Sequence, residues 1–279
     1  MSWRRTARYA ATIIISYCLS VFLIILITAI ILLKTVFDPF YIIGHIEKSG
    51  FSEQSVEELN EVFISYGFAS GIPSEIMSSL LTTRHVTNAV EGSILEAYNV
   101  GFGHSFEAYS DEVYITLYDY VISQGIDFTD ELRTGLRDLA DLCAAALKSH
   151  VNSPILNMLA QTQQYSFPLT LVIAVSTAMS LIAIAIILFV NHRVTRWIDG
   201  YIYALGSVSL ICIALPVIAI NLGLTSRLQI SPQSLNNLIS SWISGILSGY
   251  LIALIPLLLL MGVCVAVRVI RRTKRIRRF

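Results

Sequence analysis

The sequence predicts an all-α integral membrane protein with four transmembrane helices and a helical extracytoplasmic domain inserted between helices 1 and 2. Hydrophobic residues make up 55% of its 279 residues, and charged residues make up only 14%. Soluble domains usually carry about 25% charged residues, so a membrane protein is the first expectation. Four uncharged stretches also exceed the roughly 20 residues that a helix needs to cross a bilayer. Finally, eighteen of the nineteen acidic residues lie between Asp38 and Asp141.

The first apolar stretch, residues 9–33, follows a short N-terminal segment, residues 1–8, that contains three arginines. A cleaved signal peptide is the alternative interpretation of this arrangement. Its apolar core would run for about 7–15 residues and end in a small-residue cleavage site. This stretch is twenty-five residues long and runs into "LLKTVFDPF", which offers no such site. We therefore expect a retained signal-anchor helix.

Three further spans are expected in the second half of the chain. The last one is thirty residues long, more than a bilayer requires, so we expect it to tilt, to kink near Pro256 or to begin outside the hydrocarbon core. These spans are residues 167–190, 200–224 and 238–267.

Basic residues near the span ends predict the orientation of the chain. They are concentrated in residues 1–8, in the short loop 191–199 and in the tail 268–279. Because basic residues flanking spans remain in the cytoplasm, these three segments should be cytoplasmic, with both termini inside. Residues 37–165 and the loop 225–237 should then face outward. We expect a multi-pass protein of the cell membrane.

The basic tail is expected to fix this topology and to contact anionic lipid headgroups, each base contributing about 1 kcal/mol. Specific phosphoinositide binding and docking of a cytoplasmic partner are the alternatives. Nucleic-acid binding is not expected, because no folded module or aromatic platform accompanies the bases. The basic residues of the tail are Arg268, Arg271, Arg272, Lys274, Arg275, Arg277 and Arg278.

Residues 37–165 form the candidate outward domain, with eighteen acidic and five basic residues. This acidic surface is either simply solvated or attracts cations or a basic partner. Apolar residues follow helical spacing, and we expect a bundle of four or five helices. Ser52 is a candidate N-cap for one helix and Gly67 a candidate end for it. Thr129 is a candidate N-cap for the last helix of the domain.

Two absences bear on the compartment. Cys143 is the single cysteine of residues 37–165, so no disulfide can form within this segment, and no asparagine begins an Asn-x-Ser/Thr acceptor. Exported eukaryotic domains of this size often have disulfides or glycosylation sites. These features favour a bacterial cytoplasmic membrane.

The sequence offers no motif for catalysis, for a cofactor or for a metal. His104 and Glu107 have a helical ligand spacing, but no second pair accompanies them. Gly-x-Ser-x-Gly and the glycine-rich nucleotide-binding patterns are missing, and Cys143 falls on an apolar stripe, where a thiol is usually inert. We therefore expect neither an enzyme nor a bound cofactor or metal.

The last span contains the most specific motif, "SSWISGILSGY". Ser241, Gly245 and Gly249 follow a small-xxx-small pattern, which lets helix backbones approach each other closely. The groove is expected to pack inside the four-helix domain. A partner helix or a second copy of the chain is the alternative occupant.

Two functions are favoured at this point, and an envelope enzyme, which would need a polar pocket, is a third possibility. The first is a non-enzymatic membrane protein whose outward helical domain acts in sensing, scaffolding or regulation of an envelope or membrane complex. It would meet a protein partner or a second copy through the last span or the acidic domain. The alternative is a permease or transporter subunit working with a separate ATPase. The layout resembles that of such permeases, although their cytoplasmic segment between spans 2 and 3 is longer than residues 191–199.

Overall fold

A computed structural model describes residues 3–100, 105–152, 161–190, 194–223 and 230–276, and in these ranges the regular structure is helical, without a strand. A 3-10 turn, Gln163–Tyr165, precedes the eighth helix. The helices are α1 (Trp3–Thr35), α2 (Pro39–Ser49), α3 (Phe51–Ser70), α4 (Ser74–Ser79), α5 (Thr83–Ala97), α6 (Phe106–Ser123), α7 (Asp130–Val151), α8 (Ser166–Val190), α9 (Val194–Asn221) and α10 (Gln233–Ile276).

Four of these helices are long and apolar enough to cross a membrane. This finding confirms the all-helical class and the number of candidate spans within the described residues. The last candidate is thirty-nine residues long, well beyond what a bilayer requires. The candidate spans are Tyr9–Thr35, Gln163–Val190, Trp197–Asn221 and Gln233–Arg271.

The chain divides into two compact units. The first unit consists of Met1–Phe37, Tyr165–Arg227 and Ile243–Phe279, and the second of Asp38–Gln164 and Leu228–Trp242. The second unit is therefore more than an insertion between two spans. It also takes in residues that the sequence analysis assigned to the outer loop and to the start of the fourth span. The first ten residues of α10 belong to the second unit, and the rest of this helix belongs to the first.

In the first unit, α1 packs along α8 and α9. One buried cluster joins Leu19 of α1 to Ala183 and Ile187 of α8 and to Ala204 of α9. A second cluster joins Leu257 of α10 to two buried side chains of α9, with Leu23, Ile24 and Ile27 of α1 packed against it. Apolar side chains of all four helices thus meet inside this unit.

The second unit has a core of large apolar side chains contributed by α2 to α7. Its described part contains six helices besides the start of α10, more than the four or five that we expected. The helix missed by sequence reasoning is α2, where Asp38 accepts a hydrogen bond from Phe40 N at 3.0 Å and Pro39 occupies the first turn. Fully buried members of this core include Phe51, Phe63, Met77, Ile94, Tyr98, Leu117 and Leu147.

The ends of α3 differ from those expected. The helix begins at Phe51, so Ser52 is not its N-cap, and the Ser52 hydroxyl lies 2.7 Å from that of Thr87 on α5. The helix also continues through Gly67 to Ser70. Gly67 does not end the helix; its missing side chain leaves space for Met77. A Cβ atom there would lie 2.3 Å from Met77 Cγ.

The expected N-cap at Thr129 is confirmed. The Thr129 side chain accepts a hydrogen bond from Leu132 N at 3.2 Å, and α7 begins at the next residue. Asp130 and Glu131 lie in the first turn, where the positive end of the helix dipole favours negative charge. This end of α7 was therefore readable from local sequence alone.

Candidate functional site

The first ten residues of α10 carry a line of polar side chains that are hydrogen-bonded to other helices of the second unit. Ser234, Asn237 and Ser241 are spaced three and four residues apart, which places them on one face of the helix. Each of them meets a partner from α2, α3 or α7. We call this set the polar seam, and its members are His45, Gln54, Glu58, His150, Ser234, Asn237 and Ser241.

Glu58 of α3 binds the N-terminal end of α10. Its Oε1 accepts a hydrogen bond from Ser234 N at 3.1 Å, and its Oε2 accepts one from Ser234 Oγ at 2.7 Å. The first N–H groups of a helix have no partner inside the helix, and the dipole favours an anion near them. A carboxylate brought from another helix therefore does the work of an N-cap here.

His150 of α7 completes this end of the polar seam. Its Nε2 lies 3.3 Å from Ser234 Oγ and 3.4 Å from Glu58 Oε2. The His150 side chain is only 11% exposed. Burial lowers the pKa of His150, while the negative charge of Glu58 acts in the opposite direction. The neutral imidazole is therefore the form favoured in this position.

The other end of the polar seam is held by α3 and α2. Asn237 Nδ2 donates to Gln54 Oε1 at 2.6 Å. Ser241 Oγ lies 2.9 Å from Nδ1 of His45, a buried side chain. Burial lowers the pKa of His45, and the positive charge of Lys48 lowers it further.

The serine, histidine and glutamate do not form a catalytic triad. In a triad the carboxylate orients the ring nitrogen opposite the one that faces the serine. Here Glu58 lies beside the same Nε2 atom that faces Ser234, and Ser234 is fully buried. Nor does any group of three His, Cys, Asp or Glu side chains with metal-binding geometry occur among the described residues. The arrangement fixes the start of α10.

The predicted groove of the last span is divided between the two units. Ser241 lies in the second unit with His45. Gly249 lies in the first unit, where a Cβ atom would be 3.3 Å from Ile31 Cγ2 of α1. Gly245 is buried, and its carbonyl accepts a hydrogen bond from Ser248 Oγ at 2.7 Å. The stripe is continuous in sequence, but its members meet different neighbours.

A close helix contact that the sequence analysis missed lies between α1 and α9. A Cβ atom on Gly200 would be 2.9 Å from Ser16 Oγ and 3.2 Å from Thr12 Cγ2. Ser20 Oγ also reaches Ala204 O at 3.4 Å. The signal was present in the first span, because Thr12, Ser16 and Ser20 repeat every fourth residue.

The basic tail makes one described ion pair. Arg268 Nε lies 3.0 Å from Asp199 Oδ1 within the first unit. Because the Arg268 side chain is 51% exposed, such a pair contributes only about 0–1 kcal/mol. Arg271 is exposed. The side chains of Arg272, Lys274 and Arg275, and the whole of Arg277 and Arg278, lie outside the described residues, as does His104.

Part of the acidic surface is concave. A cleft of about 400 Å³ in the second unit is lined by Glu47, Glu53 and Glu91. Hydroxyl groups of Ser52, Thr83 and Thr87 and apolar groups of α2 complete its wall. Such a surface raises the local concentration of cations. This cleft is one place where the acidic charge of the unit is concentrated.

Sequence reasoning also missed the partners of α10. A usable signal was the polar stripe of Ser234, Asn237 and Ser241 in a stretch without charge. Its partners lie more than 80 residues away in the chain. Such pairings follow from tertiary packing, so local sequence does not predict them.

No protein-family model matches the chain, and no significant match was found among curated proteins or solved structures.

Proposed function

We propose that this multi-pass protein lies in a bacterial cell membrane, with the second unit outside the cytoplasm, and acts as a sensor or regulator of a membrane complex. In this proposal, α10 carries a change in the second unit to the first. The observation that carries the proposal is the division of α10: its first ten residues are bound by the polar seam, and the remainder belongs to the membrane-type unit.

The charge distribution supports the orientation. The segment assigned to the outside holds eighteen acidic residues, whereas twelve of the nineteen basic residues lie in the three segments assigned to the cytoplasm. Basic residues near span ends control orientation, and acidic residues influence it little. The absence of a disulfide pair and of glycosylation acceptors in residues 37–165 favours a bacterial membrane over a eukaryotic one.

The loose packing of α10 supports its role as the moving element. Over 18 residues of its apolar part, 6% of the residues are buried, against 22% to 33% in the other three candidate spans. An element with few buried contacts shifts at low cost in free energy. At its beginning, α10 is held by the buried side chains of Leu235 and Leu238 and by hydrogen bonds. These bonds contribute about 0.5–1.5 kcal/mol each between neutral groups and about 1.5–3 kcal/mol each at the Glu58 carboxylate.

The orientation is tested by protease treatment of intact cells. A C-terminal tag should resist digestion, while residues 37–165 are cut. Digestion of the tag without permeabilisation would contradict the proposed topology.

The coupling is tested by cross-linking inside the first unit. Ile31→Cys and Gly249→Cys, in a background with the four native cysteines changed to alanine, place two thiols where α1 meets α10. Ser234→Ala removes a hydroxyl bound to Glu58 and should change the rate of disulfide formation. Ser110→Ala is the matched control, because it removes a hydroxyl bound to Asp141 that does not touch α10.

Equal cross-linking rates in the two serine variants and in the parent would refute the coupling. Affinity purification in mild detergent then identifies the partner complex. Co-purification of an ATPase would favour the permease-subunit hypothesis instead.

A further inference from the structure

The two histidines of the polar seam both bind serine side chains at the start of α10. His150 meets Ser234 and His45 meets Ser241, two helical turns further along the same face. Residues 228–267 contain no charged side chain, so the held segment offers nothing that could pair with an added positive charge. The segment is also held by the burial of Leu235, Leu238, Ile239 and Trp242, which does not titrate. The part of its attachment that responds to protonation near neutral pH is therefore the contact with the two rings.

The hydrogen bonds at Ser234 indicate which ring nitrogen of neutral His150 carries the hydrogen. Ser234 Oγ donates its hydrogen to Glu58 Oε2, so this oxygen has only lone pairs to offer to the ring. Nε2 at 3.3 Å must then carry the ring hydrogen, and Nδ1 is the atom that takes up a proton in acid. Protonation would place an imidazolium in a buried site.

The charged groups that act on the two rings lie on α3 and α2. For His150, Glu58 on α3 is the charged group that acts on the ring, and α10 contributes only Ser234. For His45, Lys48 on its own helix α2 opposes protonation, Tyr41 packs against the ring with centroids 5.0 Å apart, and α10 contributes Ser241. No charge on α5 or α6 contributes to either shift.

We propose that His45 and His150 form a pH-sensitive switch, which holds residues 233–242 of α10 in the second unit near neutral pH and releases them in acid. This switch rests on the proposed function, in which α10 carries a change in the second unit to the first; release of its start would be that change. In physical terms, acid converts two buried neutral rings into cations, and a ring that is exposed after release carries this charge at lower cost.

Docking of residues 233–242 and protonation of the two rings are thermodynamically linked, so the pKa values give the direction of the pH dependence. Both histidines have a pKa below the ordinary value of about 6.5 in the docked state, because burial disfavours the charged ring. In the proposal, release exposes the rings and moves both pKa values back toward about 6.5, while Lys48 continues to lower that of His45. Docking is therefore fully favourable above about pH 6.5 and weakens as the pH falls from there through the lowered pKa values. The stimulus would be acidification of the outer compartment.

Hydrogen exchange of the full-length protein in nanodiscs tests the switch. With intrinsic rates corrected for pH, protection of residues 233–242 should be lost between about pH 7.5 and about pH 5, on either side of the ordinary histidine pKa. His45→Gln/His150→Gln should keep its protection at both values. His85→Gln is the matched control, because His85 pairs with Glu112 on α6 and not with α10. This control should respond to acid as the wild type does.

Unchanged wild-type protection in acid would overturn the proposal. The proposal would also be overturned if the double variant lost as much protection in acid as the wild type. In that case the response would belong to a carboxylate such as Glu58. If the double variant fails to fold, NMR titration of the histidine-labelled wild type tests the proposal instead, by measuring the pKa of each ring. A His150 pKa above about 6.5 would contradict the switch. The cross-linking test fails or succeeds independently, because Ser234→Ala is compared with the parent at one pH.

Discussion

Each of the two units is stabilised internally by its own kind of contact, and the two kinds differ. In the second unit, large apolar side chains such as Phe51, Phe63 and Leu117 are fully buried. In the first unit, the close approach of α1 and α9 depends on Gly200 and on the short side chains of Thr12 and Ser16. Here the Ser16 hydroxyl donates to Thr12 O of its own helix at 2.7 Å.

This difference agrees with the proposed surroundings, which are water for the second unit and lipid for the first. In water, burial of apolar surface drives packing, so large side chains stabilise most. In lipid that driving force is missing between helices, and close approach of backbones with dispersion contact takes its place. The helix α10 has both kinds of contact, since its start buries Leu235, Leu238 and Trp242 and its later part comes close to α1 at Gly249.

The largest effect is expected from Phe63→Ala in the second unit. Phe63 is 0% exposed, and its truncation should cost about 3–5 kcal/mol in the free energy of unfolding, because the lost contacts leave a cavity. Phe68→Ala is the matched control on the same helix, since Phe68 is 90% exposed and should change stability little. Equilibrium unfolding of the detergent-solubilised protein measures both. Similar losses in the two variants would contradict the described core.

A smaller effect is expected from Gly200→Leu in the first unit. Its side chain would meet Ser16 and Thr12 and force α1 and α9 apart, at a cost of about 1–3 kcal/mol. At Gly206 the nearest atom to an added Cβ is Met261 Sδ at 3.9 Å, so Gly206→Leu is the control. Thermal unfolding in detergent should separate the two variants. Equal stability would show that this contact is not close in the folded protein.

A structural feature could be predicted from the sequence when the residues that determine it are close together in the chain. The spans depend on length and apolar composition within one segment, and the four candidate helices were found in this way. The N-cap at Thr129 likewise depends on three neighbouring residues. By contrast, Gly67 has the residue type of a helix end but serves contact with Met77, which only the tertiary structure reveals.

The polar seam illustrates the same limit at the candidate site. Ser241 was interpreted as part of a membrane groove because it precedes Gly245 and Gly249 at the right spacing. Its hydroxyl instead meets His45, 196 residues away in the chain. A hydrogen bond between distant segments follows from their packing, and no local pattern specifies it. The excess length of the last span predicted a tilt, a kink near Pro256 or a start outside the hydrocarbon core, and it did not indicate the contact with His45.

The smallest effect is expected from Gly245→Leu/Gly249→Leu. Intramembrane contacts contribute about 1 kcal/mol or less each, so the double variant is the fair test. Ile246→Leu, a volume-conserving change, is the control. Lower stability of the monomer would indicate that the glycines pack inside the chain against Ile31. Loss of an oligomer or of a bound subunit would indicate a partner helix. No change in either would show that this face meets only lipid.

The start of α10 belongs to the second unit, although the same helix continues as a candidate span in the first. Hydrogen exchange of Phe63→Ala and wild type, both in nanodiscs near neutral pH, tests it most directly. Destabilising the second unit should speed exchange in residues 233–242 together with α3 and α7, because they open as one cooperative unit, and should leave residues 250–265 unchanged. Exchange in 233–242 that stays at the wild-type rate while α3 and α7 open would contradict the claim.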